Sequence, residues 1–138
     1  MPRFLLDSNF CIACLRRKSW ALHALGRIQL ASVAVSAMTV GELLLGAQLA
    51  EDPDREGAKV ASFLRPIQVL PFGREEASRW AKLDAALRRQ RNRIETEDAI
   101  IAATALASAR TLVTGNARHF GRVEGLETVD WEVRPPAA

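Results

Sequence analysis

Four polar residues of this 138-residue chain stand where predicted strands end or a helix begins. Asp7 ends the apolar run FLL, Glu42 lies three residues into the helix after the second predicted strand, and Asn116 follows the fourth. Parallel strands end at one edge of a sheet, so these three side chains are expected near that edge. Asp98 opens the apolar helix DAIIAATAL, but a helix precedes it, so the sequence alone does not place it there. Clustered carboxylates of this kind suit a hard divalent cation, which takes oxygen ligands.

Each of these residues also has a purely structural interpretation. Asp7 could cap the first helix, and Asn116 could cap a short last one. Thr39-x-x-Glu42 fits a capping box in which Thr39 is the N-cap and Glu42 bonds back to its N–H. Asp98 lies in a first helical turn, where negative charge is favourable. The residue pattern alone leaves both interpretations open.

Alternating strands and helices surround these positions. Apolar spacing and β-branched composition distinguish the two kinds of element. The predicted strands are 3–6, 31–39, 66–72, 111–116 and an edge strand within 126–133; the predicted helices are 9–18, 20–28, 40–50, 58–65, 74–92 and 96–109, with a turn at 51–57.

This order predicts a three-layer α/β/α sandwich around a mainly parallel sheet of about five strands. A single domain over 1–134 and a frayed tail over 135–138 are expected, because no linker or repeat interrupts the pattern. No apolar run is long enough for a membrane span, and two cysteines fit a reducing cytoplasm. The net charge of +3 permits a polyanionic partner without requiring one.

Four ordered segments resemble the PIN-domain superfamily, and within it the VapC-type toxin ribonucleases of bacterial toxin–antitoxin pairs. They span nearly the whole chain and read FLLDSNFCIACL (4–15), VSAMTVGELLLGA (35–47), EDAIIAATAL (97–106) and TLVTGNARHFGRVEGLETVDW (111–131). The resemblance implies a PIN-like fold that brings the DAIIAATAL helix to the same sheet edge as Asp7. The chain departs from some relatives at His119, where they have an acid before the phenylalanine.

The resemblance also implies a site. The catalytic residues would be Asp7, Glu42, Asp98 and Asn116, with the three acids binding Mg²⁺ or Mn²⁺ for hydrolysis of RNA to 5′-phosphate and 3′-hydroxyl ends. Four further polar residues are expected to support the site or cap helices; they are Ser8, Asn9, Thr39 and Thr114.

The stretch RRQRNR precedes Asp98 closely. Its four arginines, Arg88, Arg89, Arg91 and Arg93, are either a solvated helix end or contacts for RNA phosphates. Cys11-x-x-Cys14 lacks a second ligand pair, so a helix face is favoured over a zinc site. The tryptophans are expected in the core, and the first two helices, with Leu15, Trp20 and Leu25, are expected to form one wall of an antitoxin groove, as in relatives.

The expected function is therefore a metal-dependent endoribonuclease toxin that a VapB-type antitoxin neutralises, acting on tRNA or rRNA in the cytoplasm and forming a homodimer. The alternatives are a PIN-domain nuclease of RNA maturation and a catalytically inactive RNA-binding module. A phosphatase of the haloacid dehalogenase type is disfavoured, because it needs a second aspartate where this chain has Asn9.

Overall fold

A computed structural model describes residues 2–137, so Met1 and Ala138, the last residue of the predicted tail, lie outside the described residues. The strands are β1 (Phe4–Leu6), β2 (Val33–Ser36), β3 (Gln68–Leu70), β4 (Thr111–Val113) and β5 (Thr128–Val129). The helices are α1 (Ser8–Leu15), α2 (Ser19–Gly26), α3 (Ala37–Gln48), α4 (Pro53–Leu64), α5 (Arg74–Arg89), α6 (Thr96–Ala107) and α7 (Ala117–Phe120), with a 3₁₀ turn at Leu30–Ser32.

The five strands form one sheet in the order β3-β2-β1-β4-β5, and every neighbouring pair is parallel. This confirms the predicted fold class and the edge position of the last strand. Because β1 lies at the centre, between β2 and β4, Asp7 leaves the sheet at the middle of its carboxyl edge. Its backbone N–H donates to the carbonyl of Val113 at 3.0 Å, which joins the ends of β1 and β4.

Helices cover both faces of the sheet, and successive strand residues alternate between two apolar clusters. Leu6 packs with side chains of α1 to α4 and with Trp131, whereas Leu5 packs with side chains of α5 and α6 and with Phe120. Both clusters are fully buried at the central strand, which is why FLL reads as a continuous apolar run rather than an alternating one.

The second predicted strand, 31–39, was too long. A 3₁₀ turn occupies Leu30–Ser32, only Val33–Ser36 is extended, and α3 begins at Ala37. Ser36 is the N-cap, and its side-chain oxygen accepts the Thr39 N–H at 3.0 Å. The predicted N-cap at Thr39 was therefore wrong, because a serine three residues earlier already satisfies that N–H.

The predicted turn at 51–57 was also wrong in part, because α4 begins at Pro53. Asp52 caps this helix by accepting the Arg55 N–H at 3.2 Å, and proline suits the first helical position.

The other boundaries differ from the predicted ones by a few residues. Helix α5 ends at Arg89, before Arg91 adopts a left-handed φ of 54°. Between residues 2 and 137, no helix has the length and apolar character needed to cross a bilayer.

Candidate metal-dependent nuclease site

Asp7 is both a helix cap and a buried acid. Its carboxylate accepts the N–H of Phe10 at 2.8 Å at the start of α1, and the hydroxyl of Thr114 also bonds to it. The side chain is only 3% exposed, and burial raises its pKa to about 6, with a smaller contribution from the negative charges of Asp98 and Glu42. The capping interpretation is thus confirmed, but it does not replace the acidic-cluster interpretation, since neighbouring carboxylates are close enough to act on Asp7.

Glu42 does not form the capping box that Thr39-x-x-Glu42 suggested. Its carboxylate instead accepts the hydroxyl of Ser8, at 2.5 Å, from the first turn of α1. The hydroxyls of Ser8 and Thr39 lie 3.2 Å apart, and the Thr39 side chain is fully buried. Ser8 and Thr39 therefore join α1 to α3 and hold the Glu42 side chain at the end of β1.

Asp98 lies in the first turn of α6, on the side of the sheet opposite α3. It caps no helix, because Glu95 occupies the N-cap position. One carboxylate oxygen, Oδ2, lies 2.8 Å from Nε2 of His119. Burial raises the pKa of Asp98, and His119 opposes that rise. His119 thus stabilises the charged carboxylate.

Asn116 occupies the N-cap position of α7, yet its side chain makes no capping hydrogen bond. Its backbone N–H is held by the hydroxyl of Thr114 at 3.0 Å, so Thr114 fixes both this turn and Asp7. The capping interpretation of the Asn116 side chain is therefore wrong, and its amide lies beside the acids.

All four predicted catalytic residues lie on one cleft of about 90 Å³ at the carboxyl edge of the sheet. Ser8 and Asn9, which were expected to support the site, line it, whereas Thr39 and Thr114 lie behind it. Sequence reasoning missed Phe120, which forms part of the wall, and the contact of His119 with Asp98. The residues that line the cleft are Asp7, Ser8, Asn9, Glu42, Asp98, Asn116 and Phe120.

The donor set of this cleft fits a hard divalent cation. Carboxylate and amide oxygens are the ligands that Mg²⁺ and Mn²⁺ prefer, and a cation would relieve the mutual repulsion that helps to raise the pKa of Asp7. Among residues 2–137, however, no three Asp, Glu, His or Cys side chains are already arranged around one point as metal ligands.

The four arginines of RRQRNR divide into two pairs, and none of them lines the cleft. Arg88 donates to Oδ2 of buried Asp84 at 2.8 Å, and Arg93 lies 3.9 Å from the same oxygen. Arg89 and Arg91 are exposed and make no ion pair within the described part of the chain. Only the second pair is therefore free for phosphates without giving up an internal partner.

The two cysteines are core residues of α1. Both are buried in the apolar cluster of α1 to α4, which confirms the helix-face interpretation. Burial raises the pKa of the Cys11 thiol well above its usual range and that of Cys14 to about 11, so neither supplies a thiolate at neutral pH. Trp131 is buried, and Trp20 packs edge-on against Phe10, as expected for core residues.

Comparison with known proteins gives relatives over the full length of this fold. The family model of the PIN domain matches residues 4–126. The tRNA(fMet)-specific endonuclease VapC of Shigella flexneri is 32% identical over 95% of this chain and 99% of its own length. Ribonuclease VapC2 of Haemophilus influenzae is 31% identical over the same shares.

A solved structure agrees with these sequence relatives. The crystal structure of DNA-bound VapBC from Salmonella typhimurium contains a chain that superposes with a TM-score of 0.89 at 29% identity, covering 95% of this chain and 99% of the other. The PIN-domain match contains the first three segments on which the sequence resemblance rests and most of the fourth, which continues to residue 131. This chain therefore belongs to the PIN-domain family, and VapC ribonucleases are its relatives.

Proposed function

We propose that this chain is a metal-dependent endoribonuclease toxin of the VapC type, which a VapB-type antitoxin neutralises. The observation that carries the proposal is the meeting of Asp7, Glu42 and Asp98 with Asn116 on one cleft, although they come from four separate elements. A module that only binds RNA has no need for three neighbouring carboxylates, which repel both one another and phosphate.

The three acids would hold Mg²⁺ or Mn²⁺, which when bound supplies positive charge to a phosphate oxygen and lowers the pKa of a water. The chain's own groups set the geometry. Phe10 N–H and Thr114 fix Asp7, Ser8 fixes Glu42, and His119 fixes Asp98. The unused amide of Asn116 is available to orient a phosphate or a water beside them. Hydrolysis in this arrangement needs no nucleophilic side chain.

The substrate is RNA in the cytoplasm. The relative in Shigella flexneri is named for tRNA(fMet), so that tRNA is the first substrate to test, followed by rRNA. A role in RNA maturation makes a different prediction, because a maturation enzyme would not arrest growth when it is produced without a partner.

An apolar groove beside the cleft suits the antitoxin. It has a volume of about 260 Å³, lies between α1, α3 and α4, and includes Glu42 at its margin. Trp20 and Leu25 of the expected wall pack against the core cluster, whereas Leu15 lines this groove. Its apolar lining residues are Ile12, Leu15, Leu43, Ala47, Ala50 and Val60.

The activity is tested by incubating the purified chain with tRNA(fMet), total tRNA and rRNA in Mg²⁺ and sequencing the new 5′ ends. We expect cleavage at a defined position that leaves a 5′-phosphate. The matched control is Asp98→Asn, which keeps the size of the side chain. Equal cleavage by parent and control would contradict the proposal, because the activity would then come from a contaminant or another site.

The toxin role is tested by expression in cells with and without the short reading frame next to the gene. We expect growth arrest without that partner and rescue with it. Leu15→Arg should weaken rescue, because this partly buried residue lines the apolar groove and a charge there opposes antitoxin binding. Normal growth of cells that accumulate the active chain alone would favour RNA maturation. Light scattering on the purified chain measures the predicted homodimer.

A further inference from the structure

A second groove lies outside the catalytic cleft, between α5 and the segment that follows α7. It has a volume of about 230 Å³ and is here called the distal groove. Its floor is apolar and its rim carries three cations against one acid, Glu124. The floor consists of Leu83, Leu87, Leu106 and Val123, and the cations are Arg79, Lys82 and Arg122.

The positive charge of this rim has no ion-pair partner among residues 2–137. In the part of the chain that the structure describes, Arg79, Lys82 and Arg122 have no carboxylate within ion-pair distance. This differs from Arg88 and Arg93, whose charge is directed at buried Asp84. An uncompensated row of cations favours a polyanion over an apolar or a cationic partner.

The distal groove is structurally connected to the catalytic cleft. Arg122 Nη1 donates to the carbonyl of Arg93 at 3.0 Å, which ties the rim to the turn that leads into α6 and Asp98. Phe120, two residues before Arg122, lines the catalytic cleft. A nucleic-acid strand that leaves the cleft past Phe120 would therefore meet Arg122 before Lys82 and Arg79.

We propose that the distal groove binds the sugar-phosphate backbone of the same RNA, away from the bond that is cut. This inference rests on the proposed function and adds to it a reason why the chain would prefer long RNA to short RNA. Arg122, Lys82 and Arg79 contact phosphates, and the groove reads no sequence, because cations on a rim contact backbone rather than base edges.

The test is a triple variant, Arg79→Ala/Lys82→Ala/Arg122→Ala, in the Asp98→Asn background, so that tRNA stays intact during binding. Its matched control removes three cations of α4 or its end instead, Arg55→Ala/Lys59→Ala/Arg65→Ala, and so has the same net charge. Affinity for tRNA(fMet) is measured across a salt series. Three lost phosphate contacts should reduce the salt slope by about 2 and weaken binding at least roughly tenfold, with little change in the control.

Cleavage gives a second readout in chains that retain Asp98. The groove variant should cut tRNA more slowly than the parent but should cut a short oligonucleotide around the cleaved bond equally well. The inference would be overturned if RNA affinity depended on salt equally in the groove variant and the control. It would also be overturned if the groove variant lost as much cleavage rate on short RNA as on long RNA. The proposed function fails separately, when the parent itself cuts no RNA. Thermal melting checks that both triple variants are folded.

Discussion

His119 Nε2 lies 2.8 Å from Oδ2 of Asp98, across 21 residues of sequence. When Asp98 is ionised its carboxylate can only accept a hydrogen bond, so in that state Nε2 is the donor. The contact orients one acid of the candidate site and favours its charged form. The resemblance to the PIN-domain superfamily implies an acid at this position in some relatives, so His119 would position a ligand where such a relative would supply one.

Removal of this contact should weaken the site without unfolding the protein. We expect His119→Ala to reduce cleavage and Mg²⁺ affinity by about 10–100-fold, as is usual for partners that orient metal ligands. His119→Gln keeps a donor and should lose less. His23→Ala, on the exposed side of α2, is the control. If His119→Ala has the Mg²⁺ dependence of the parent, the contact with Asp98 has no role in metal binding.

The acids themselves can be separated from helix caps by isosteric replacement. Asp7→Asn keeps an acceptor for the Phe10 N–H, so a residue that is only a cap would tolerate the change. We expect loss of RNA cleavage and of toxicity in Asp7→Asn, Asp98→Asn and Glu42→Gln, and a partial loss in Asn116→Ala. Full activity in both aspartate variants would show that neither carboxylate is needed for cleavage.

Asp7 should destabilise the metal-free protein at neutral pH. Its pKa is about 6 in the folded chain and 3.8 ordinarily, so the folded state binds the proton more tightly. The contribution to stability therefore falls as the pH rises from about 4 to about 6 and is constant above that. Across this pH range, the raised pKa of Asp7 lowers the free energy of unfolding by about 3 kcal/mol in total.

Urea unfolding in chelator at several pH values measures this contribution. Asp7→Asn should be more stable than the parent at pH 7.5, and the difference should vanish near pH 4. Asp54→Asn, on exposed α4, should show no such trend. If the stability of the parent relative to Asp7→Asn instead increased with pH, the raised pKa of Asp7 would be wrong. The folded state would then favour the charged carboxylate.

Removal of the metal should abolish RNA cleavage. Added metal should restore it, with an apparent affinity that depends on the ionisation of Asp7. We expect no cleavage in excess EDTA and recovery with Mg²⁺ or Mn²⁺. Since protons compete with the cation for the carboxylate, the apparent Mg²⁺ affinity should rise with pH up to about 6 and then level off. Isothermal titration measures the affinity. Undiminished cleavage in chelator would refute the metal-dependent mechanism.

The arginine-rich turn should divide into contacts for RNA and contacts for the fold. Arg89→Ala/Arg91→Ala should weaken RNA binding and its salt dependence, because these exposed cations are free. Arg88→Ala should instead lower the melting temperature, since Asp84 is only 3% exposed and would lose its closest partner. Filter binding and thermal unfolding separate the two effects. An unchanged salt slope in the first variant would leave Arg89 and Arg91 as a solvated helix end.

The sequence by itself determined the elements and their class. The run FLL before Asp7, the alternation of strands with helices and the four family segments were sufficient for a parallel α/β fold with an acidic edge. These are local signals, because they depend on the spacing of apolar side chains along a single element. Even there, two caps compete, since both Ser36 and Thr39 can start a helix, and in the structure β2 ends and α3 is capped at Ser36.

The tertiary structure decided what the acids touch. Ser8 bonds to Glu42 across 34 residues and His119 bonds to Asp98 across 21, and no local pattern encodes either pair. They form because the strand order places β1 between β2 and β4, so that α1, α3 and the segment after β4 all start beside Asp7, with the first turn of α6 against them. The spacing of residues along the chain determines which face of an element is apolar, but the crossovers of a parallel sheet determine which distant side chains meet at its edge.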